Sequence, residues 1–176
     1  MAFYEDKVDV FYAEEKLRAR LAELGAEITR DYAGTDLVVV GVLKGSVLFF
    51  ADLIRHIDLP LAIDFLGLSS YGSGTESSGV VRITNDLSKP IAGKHVLVVE
   101  DIVDTGLTMQ FLLENLQTRK PASVKICTLL EKPSRARVSV PIHYKGFVIP
   151  DAFVVGYGLD FDEKYRNLPF IGVMRR

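Results

Sequence analysis

The sequence predicts an α/β fold, in which a mostly parallel, twisted β-sheet is flanked by helices. Two features of its 176 residues favour this fold: short apolar runs typical of strands buried on both faces, and segments with helical spacing between those runs. Strands that alternate with helices are joined by right-handed crossovers, which cover both faces of the sheet. Ligands of such sheets bind at the carboxyl ends of the strands, so we expect the functional residues there.

The first half of the chain is predicted to form a helix, a buried strand, a second helix and a hairpin. Apolar residues spaced by three or four positions line one face of the first helix, namely Leu17, Leu21, Leu24 and Ile28. The later elements are the strand Leu37–Leu43, a helical segment around Val47–Ile57, and the hairpin strands Ala62–Leu68 and Val80–Thr84. The hairpin tip, Ser69–Gly79, contains five Ser and three Gly, a composition that predicts a mobile loop.

The second half of the chain contains the most apolar strand and the helix that follows it. His95–Glu100 (HVLVVE) predicts a buried strand, and a polar turn separates it from a helix with an apolar face. The residues of that face are Met109, Leu112, Leu113 and Leu116. Val124–Leu130 predicts a further buried strand, and Phe153–Tyr157 predicts a shorter one.

Composition excludes a disordered chain and does not favour a charged macromolecular partner. The residues are 48% hydrophobic, which supplies enough apolar area to offset the entropy of folding. With 21 basic and 23 acidic residues, we expect neither a nucleic-acid partner nor a membrane partner. The single cysteine, Cys127, allows no internal disulfide and suits a reducing cytoplasm. No apolar run approaches the ~18 residues of a membrane span, so we expect one cytoplasmic domain over residues 1–176.

Chemically reactive residues lie at the ends of three predicted strands. Lys44 follows the first buried strand, Glu100 and Asp101 end the central strand, and Lys132 follows the next. The central turn continues as Asp104–Thr108 (DTGLT), whose hydroxyls, flexible glycine and helix-opening N–H groups suit a bound phosphate. Carboxylates beside a phosphate would repel it unless a divalent cation or the hydroxyls of a sugar engage them.

The alternative for Asp104–Thr108 is an ordinary N-capping turn, in which Asp or Thr accepts from the first helical N–H groups. That alternative does not account for two further acids at the exit of a strongly apolar strand. Two other phosphate-binding motifs, GxxxxGK[ST] and GxGxxG between a strand and a helix, are absent from the sequence.

The segment Val96–Thr108 (VLVVEDIVDTGLT) resembles the ribosyl-diphosphate binding motif of type I phosphoribosyltransferases. Three further segments are similar to the 6-oxopurine branch of that family, the hypoxanthine(-guanine) phosphoribosyltransferases. These are Val40–Leu53, Asp64–Gly72 and Pro150–Pro169. The resemblance implies the type I fold, with a small hood and a mobile hairpin loop, in a homodimer or homotetramer. It also implies a magnesium-dependent reaction of a purine base with 5-phospho-α-ribosyl 1-diphosphate, which gives a nucleotide and pyrophosphate.

The resemblance assigns the sugar and its phosphates to residues at two of these strand ends and to Arg166. Asp104 is the expected catalytic base at the purine N7, and Glu100 and Asp101 are expected to hold the ribose hydroxyls and Mg²⁺. The 5′-phosphate would be bound by the rest of the turn, which consists of Thr105, Gly106, Leu107 and Thr108. Lys44, Gly45 and Arg166 are expected to bind the diphosphate.

The resemblance assigns the base to residues nearer the end of the chain. Lys132 would donate to the exocyclic O6, Phe153 would stack on the purine, and backbone groups at Val154 would meet its edge. Asp160 resembles an acid near the base and a second metal ion. Taken alone, an aromatic residue in a strand is more often part of the core than a stacking platform.

The hairpin tip resembles the lid of the family, with Ser70 and Tyr71 as its recognisable dipeptide. A lid would exclude water, which otherwise hydrolyses the activated sugar. Two positions depart from the family: Leu107 stands where some members have Lys, and Glu131 stands where an apolar residue is common.

Two other functions remain open from the sequence. One is a regulator that keeps this fold but binds nucleotides and nucleic acid, which the acidic net charge of −2 disfavours. The other is a transferase for a different base, such as xanthine, adenine or a pyrimidine. Lys132 disfavours adenine, because a positive donor rejects an amino group.

Overall fold

The computed structural model describes residues 7–70 and 81–175. Within this part of the chain it contains three α-helices, nine strands and one short 3₁₀-helix. In chain order they are β1 Val8–Tyr12, α1 Glu14–Asp31, β2 Leu37–Leu43, α2 Val47–Ile54, β3 Leu61–Ser70, β4 Val81–Asn85, β5 His95–Val103, α3 Leu107–Gln117, β6 Ser123–Glu131, the 3₁₀-helix Pro133–Arg135, β7 Tyr144–Val148, β8 Val154–Val155 and β9 Ile171–Met174.

The main sheet has six strands in the order β4-β3-β2-β5-β6-β7. All neighbouring strands are parallel except β4, which pairs with β3 in antiparallel register at one edge. A second, three-stranded antiparallel sheet, in the order β1-β9-β8, forms the hood. The predicted α/β fold with a mostly parallel sheet is therefore confirmed.

Side chains of β5 alternate between the two apolar layers of the core, which explains why its sequence is apolar without interruption. Leu97 and Val99 belong to the layer that contains α1 and α2. Val96 and Val98 belong to the opposite layer, where α3 packs through Leu112. The sheet is therefore covered on both faces, and a ligand can reach its polar groups only at its edges or ends.

Most predicted elements agree with the structure to within three residues. The central strand is longer than predicted, because β5 continues past Glu100 to Val103. The prediction of a strand over Phe153–Tyr157 is wrong in extent: only Val154–Val155 is a strand, and it belongs to the hood. Positive φ angles at Gly156, Tyr157 and Gly158 turn the chain there, which ends the extended conformation.

The hairpin strands are confirmed as β3 and β4, with Ser70 opposite Val81. The predicted lid falls mainly on residues 71–80, including Tyr71, and these lie outside the described residues. Among the helices that are described, none is long and apolar enough to cross a membrane.

Candidate active site

The ends of β2, β5 and β6 lie side by side at one edge of the sheet, because these strands are adjacent and parallel. Lys44, Asp104 and Lys132 each directly follow one of these three strands. The structure therefore brings together the three strand ends that the sequence identifies as chemically reactive.

Three segments of the chain approach one another unusually closely at this edge. A Cβ atom at Gly45 would overlap Oδ2 of Asp101, and a Cβ atom at Gly158 would overlap the carbonyl oxygen of Gly45. The φ angle of Gly158 is also positive, at 101°. Glycine is therefore required at Gly158, whereas a side chain at Gly45 would have to displace the Asp101 carboxylate. The loop after β2 is packed against both the end of β5 and the segment around Asp160. The Leu43–Lys44 peptide bond is cis.

Lys44 and Arg166, the two cations expected to bind a diphosphate, converge on one carboxylate. Lys44 Nζ lies 3.0 Å from Glu163 Oε2, and Arg166 Nη2 lies 3.4 Å from the same oxygen. Arg166 Nη2 also pairs with Asp160 Oδ1 at 2.8 Å, and its Nη1 donates to the Gly158 carbonyl. The Lys44 ammonium, followed by the Arg166 guanidinium, lowers the pKa of Glu163. Two cations that share one anion are typical of a site for an anionic ligand.

Glu100 and Asp101 form a half-buried pair of adjacent carboxyl groups near the end of β5. Burial, and then the neighbouring Asp101 charge, raise the pKa of Glu100 well above its usual value. Burial also raises the pKa of Asp101, whose Oδ1 accepts from the Ile102 N–H at 2.7 Å. Oε2 of Glu100 is buried with no hydrogen-bond partner among the described residues. An unpartnered carboxyl oxygen beside a second carboxyl group is suited to a cation or to a hydroxyl donor.

The described residues contain no group of three or more His, Cys, Asp or Glu side chains that could hold a metal ion. Asp160 already uses both carboxyl oxygens, one with Arg166 and one with the Glu163 N–H at 3.0 Å. A metal ion at this edge would therefore depend mainly on Glu100 and Asp101, with the remaining ligands from substrate and water. Mg²⁺ is commonly bound in that way.

The Asp104–Thr108 turn leaves the start of α3 without a side-chain cap. Its cap position is Gly106, which has no side chain and a φ angle of 82°. Thr105 Oγ1 approaches the Leu107 N–H only at 3.5 Å, the outer limit of a hydrogen bond. The capping alternative therefore accounts poorly for this turn, and the N–H groups of the first helical turn are available to an anion such as phosphate.

The turn is fixed by the loop that follows β6. The N–H groups of Arg137 and Val138 donate to the Thr105 carbonyl at 2.9 and 3.2 Å, and the Lys132 N–H donates to the Val103 carbonyl at 3.0 Å. A cavity of about 300 Å³ lies between these two loops and is lined by Asp104 and Lys132, among others. A larger cavity, of about 630 Å³, lies between α1 and α2 and is lined by none of the predicted site residues. The site is assigned to the strand ends because the charged groups converge there.

Lys132 is a buried lysine with a distant partner. The residue is 8% exposed, and its Nζ lies 3.8 Å from Asp151 Oδ1, which is too far for a hydrogen bond. Its ammonium therefore retains N–H donors for a ligand. Asp104 Oδ1 accepts from Arg135 Nε at 2.8 Å.

Phe153 is not part of the core, because 55% of its surface is exposed. Its ring packs edge-on against Phe161, with the centroids 5.6 Å apart, and Phe161 is 50% exposed. Val154 is buried and pairs with Val173 in the hood. An exposed aromatic ring is free to stack on a planar ligand.

Four residues with contacts at the site were not predicted from the sequence: Phe161, Arg135, Asp151 and Glu163. Phe161 directly follows Asp160, a predicted site residue, so its position in the sequence could have identified it as a further site residue. The other three are charged residues outside the strands and α-helices, and nothing local distinguishes them from ordinary surface charges.

Comparison with known proteins identifies the family. The family described as phosphoribosyl transferase domain matches residues 7–162. The chain is 54% identical to a hypoxanthine phosphoribosyltransferase of Haemophilus influenzae, over 94% of both proteins. It is 50% identical to a hypoxanthine-guanine phosphoribosyltransferase of Bacillus subtilis, over 94% of this chain and 92% of the relative.

Solved structures support the same relationship. A hypoxanthine phosphoribosyltransferase from Staphylococcus aureus superposes with a TM-score of 0.95 at 49% identity, over 99% of this chain and 95% of the other. With a matching family over most of its length and relatives at about half identity, the chain belongs to the phosphoribosyl transferase domain family, as the motif at Val96–Thr108 predicted.

Proposed function

We propose that the protein is a purine salvage enzyme with a single catalytic domain. It transfers the 5-phosphoribosyl group from 5-phospho-α-ribosyl 1-diphosphate to hypoxanthine, and also to guanine, giving IMP or GMP and pyrophosphate. The observation that carries this proposal is the position of Asp104 and Lys132 on one cavity, at the ends of adjacent strands. The names of the relatives from Haemophilus influenzae and Bacillus subtilis support the same activity.

Lys132 and Asp104 are suited to two groups on one edge of a 6-oxopurine, an acceptor at O6 and a proton donor at N7. The buried ammonium of Lys132 donates to O6, and the carboxylate of Asp104 accepts the proton at N7 as the glycosidic bond forms. Adenine carries an amino group in place of O6, so it would place a donor against a donor. Phe153 offers its exposed ring to the face of the base, and backbone groups at Val154 meet its edge.

The remaining residues bind the sugar and stabilise the charge that develops on the leaving group. Glu100 and Asp101 accept from the ribose hydroxyls, and the N–H groups of Thr105–Thr108 bind the 5′-phosphate. The N–H groups have the larger role here because Leu107 supplies no charge. Lys44, Gly45 and Arg166 bind the diphosphate, whose negative charge grows as the bond to the anomeric carbon breaks.

The carboxyl pair at the end of β5 fits Mg²⁺. The unpartnered Oε2 of Glu100 and the adjacent Asp101 supply the hard oxygen ligands that this ion prefers. When bound, the ion neutralises charge on the diphosphate. Asp160 remains a predicted ligand of a second ion, and in the structure its Oδ1 is paired with Arg166.

Three further predictions belong to this proposal. Ser70 and Tyr71 belong to a lid, Ser69–Gly79, that closes over the bound substrates. The protein is a homodimer or homotetramer. It acts in the cytoplasm, where Cys127, which is free and buried, would remain reduced.

The proposal is tested by incubating the protein with Mg²⁺, ribosyl diphosphate and one base at a time, and separating the products by chromatography. We expect IMP from hypoxanthine and GMP from guanine, and little product from adenine. Omission of Mg²⁺ should abolish both products. If xanthine is the only base converted, the substrate assignment is wrong; if no base is converted, the enzymatic function is wrong.

A further inference from the structure

Two charged side chains lie between the residues that we assign to the purine. Arg135 donates from Nε to Asp104 Oδ1 at 2.8 Å, and its Nη1 lies 3.4 Å from Asp151 Oδ2. The other oxygen of Asp151 lies 3.8 Å from Lys132 Nζ. The four residues form a chain of alternating charge, Asp104–Arg135–Asp151–Lys132, which we call the charge chain.

The charge chain joins three loops whose backbones are already fixed. Lys132 directly precedes the short 3₁₀-helix and Arg135 is its last residue, and the Arg135 N–H donates to the Lys132 carbonyl at 3.1 Å. The Lys132 N–H is bonded to Val103, next to Asp104, and the Ala152 N–H closes a turn beside Asp151. Because the backbones are held, the charge chain can act mainly on where the side chains of Asp104 and Lys132 point.

Asp104 and Lys132 could bind each other instead of the base. They carry opposite charges on neighbouring strand ends, and a direct ion pair between them would occupy the space that N7 and O6 of the base require. Among the described residues, no ion pair joins them. Instead, Asp104 is paired with Arg135, and Lys132 faces Asp151 at a distance that leaves its donors available.

We propose that Arg135 and Asp151 are positioning residues for binding of the base, because they keep Asp104 and Lys132 apart. Arg135 is the cationic partner of Asp104, so Asp104 does not pair with Lys132. Asp151 is the anionic group that Lys132 faces instead of Asp104. This inference rests on the proposed function, since it concerns the same purine site. Arg135 and Asp151 need not touch the substrate.

The inference makes a specific prediction about kinetic constants. Loss of Arg135 or of Asp151 lets Asp104 capture Lys132, which should raise KM for hypoxanthine roughly 10-fold to 100-fold, the scale of one lost charge-assisted hydrogen bond. The KM for ribosyl diphosphate should change little. Arg135→Lys should recover part of the loss, because an ammonium keeps the charge but lacks the planar, extended set of donors with which a guanidinium contacts two carboxylates.

The test measures kcat and both KM values for wild type, Arg135→Ala, Arg135→Lys and Asp151→Asn, each also in a Lys132→Ala background. Arg119→Ala is the matched control, since Arg119 forms a 2.7 Å ion pair with Asp86 beyond the end of α3, away from the site. In the Lys132→Ala background no ammonium remains to be captured. The effect of Arg135→Ala on KM for hypoxanthine should therefore disappear there.

Each outcome decides the question. A base-specific rise in KM that depends on Lys132 supports the inference. Two results overturn the inference: Arg135→Ala behaves like Arg119→Ala, or it raises both KM values and keeps that effect in the Lys132→Ala background. In either case the activity of the wild type leaves the proposed function intact. If the wild type itself forms no nucleotide, the proposed function fails, and the inference fails with it.

Discussion

Glu163 Oε2 lies 3.0 Å from the ammonium of Lys44, although 119 positions separate the two residues in sequence. The same oxygen lies 3.4 Å from Arg166. Glu163 therefore occupies the position of an anion between the two cations to which we assign the diphosphate. A diphosphate that binds there must replace this carboxylate.

Glu163→Gln should lower KM for ribosyl diphosphate by about twofold to fivefold, the scale of an exposed ion pair. The neutral amide no longer competes with the substrate for Lys44 and Arg166. Asp162→Asn is the matched control, because Asp162 pairs with Lys164 in the same segment. An unchanged or higher KM in Glu163→Gln would mean that Glu163 orients the cations rather than competing for them.

Gly45→Ala should lower kcat/KM by roughly 10²-fold, because a Cβ atom there overlaps Oδ2 of Asp101 and displaces the diphosphate loop or the carboxylate. The control is Gly93→Ala. Gly93 also has a positive φ angle, 74°, but has open space around it, so its substitution costs only about 1–2 kcal/mol of backbone strain. Steady-state kinetics on both variants separate the two effects. Full activity in Gly45→Ala would refute the close packing at this position.

The fold was predictable where strands are buried on both faces. The runs in β2, β5 and β6 are apolar because both faces meet core layers, so their sequences stand out. β7 was missed because it is an edge strand that contains Lys145 and Gly146 and leaves Val148 55% exposed. The hood strands are only two to five residues long, which gives no comparable signal.

The site was predictable only in part, for a related reason. Asp104 and Lys132 follow buried strands, and topology alone brings such positions together. Arg135 and Asp151 have roles that depend on side-chain contacts between separate loops. Arg135 contacts an aspartate 31 positions away, and no local pattern reports such a contact.

His143 provides a prediction about pH. Burial, and then the Lys125 charge, lower its pKa below 6.5, and its neutral Nδ1 accepts from the Ile126 N–H at 3.1 Å. The unfolded chain therefore binds a proton at a higher pH than the folded protein does. The stability contributed by neutral His143 is present above about pH 6.5 and is lost as the pH falls through the lowered pKa.

The measurement is Tm at pH 8 and at successive steps down to pH 5. Between pH 8 and pH 5, the Tm of the wild type should fall further than the Tm of His143→Gln. The amide oxygen of glutamine accepts a hydrogen bond at every pH. Parallel curves for the two proteins would show that His143 does not contribute to the acid sensitivity.

Lys132→Ala should raise KM for hypoxanthine roughly 10-fold to 100-fold, because the donor to O6 is lost, and should leave KM for ribosyl diphosphate nearly unchanged. Lys94→Ala is the control, because Lys94 pairs with Asp36 just before β5, at the opposite end of that strand. Equal effects of Lys132→Ala on both substrates would assign Lys132 to the diphosphate or to the structure.

The most direct test of the account is the turnover of Asp104→Asn with hypoxanthine and ribosyl diphosphate both saturating. Asparagine keeps the size of the side chain but cannot accept the N7 proton, so we expect kcat to fall by roughly 10²–10⁴-fold, the usual scale for a lost general base. Tm and the KM for ribosyl diphosphate should stay close to the wild-type values. A kcat near that of the wild type would contradict the assignment of Asp104 as the base, and with it the central claim about this site.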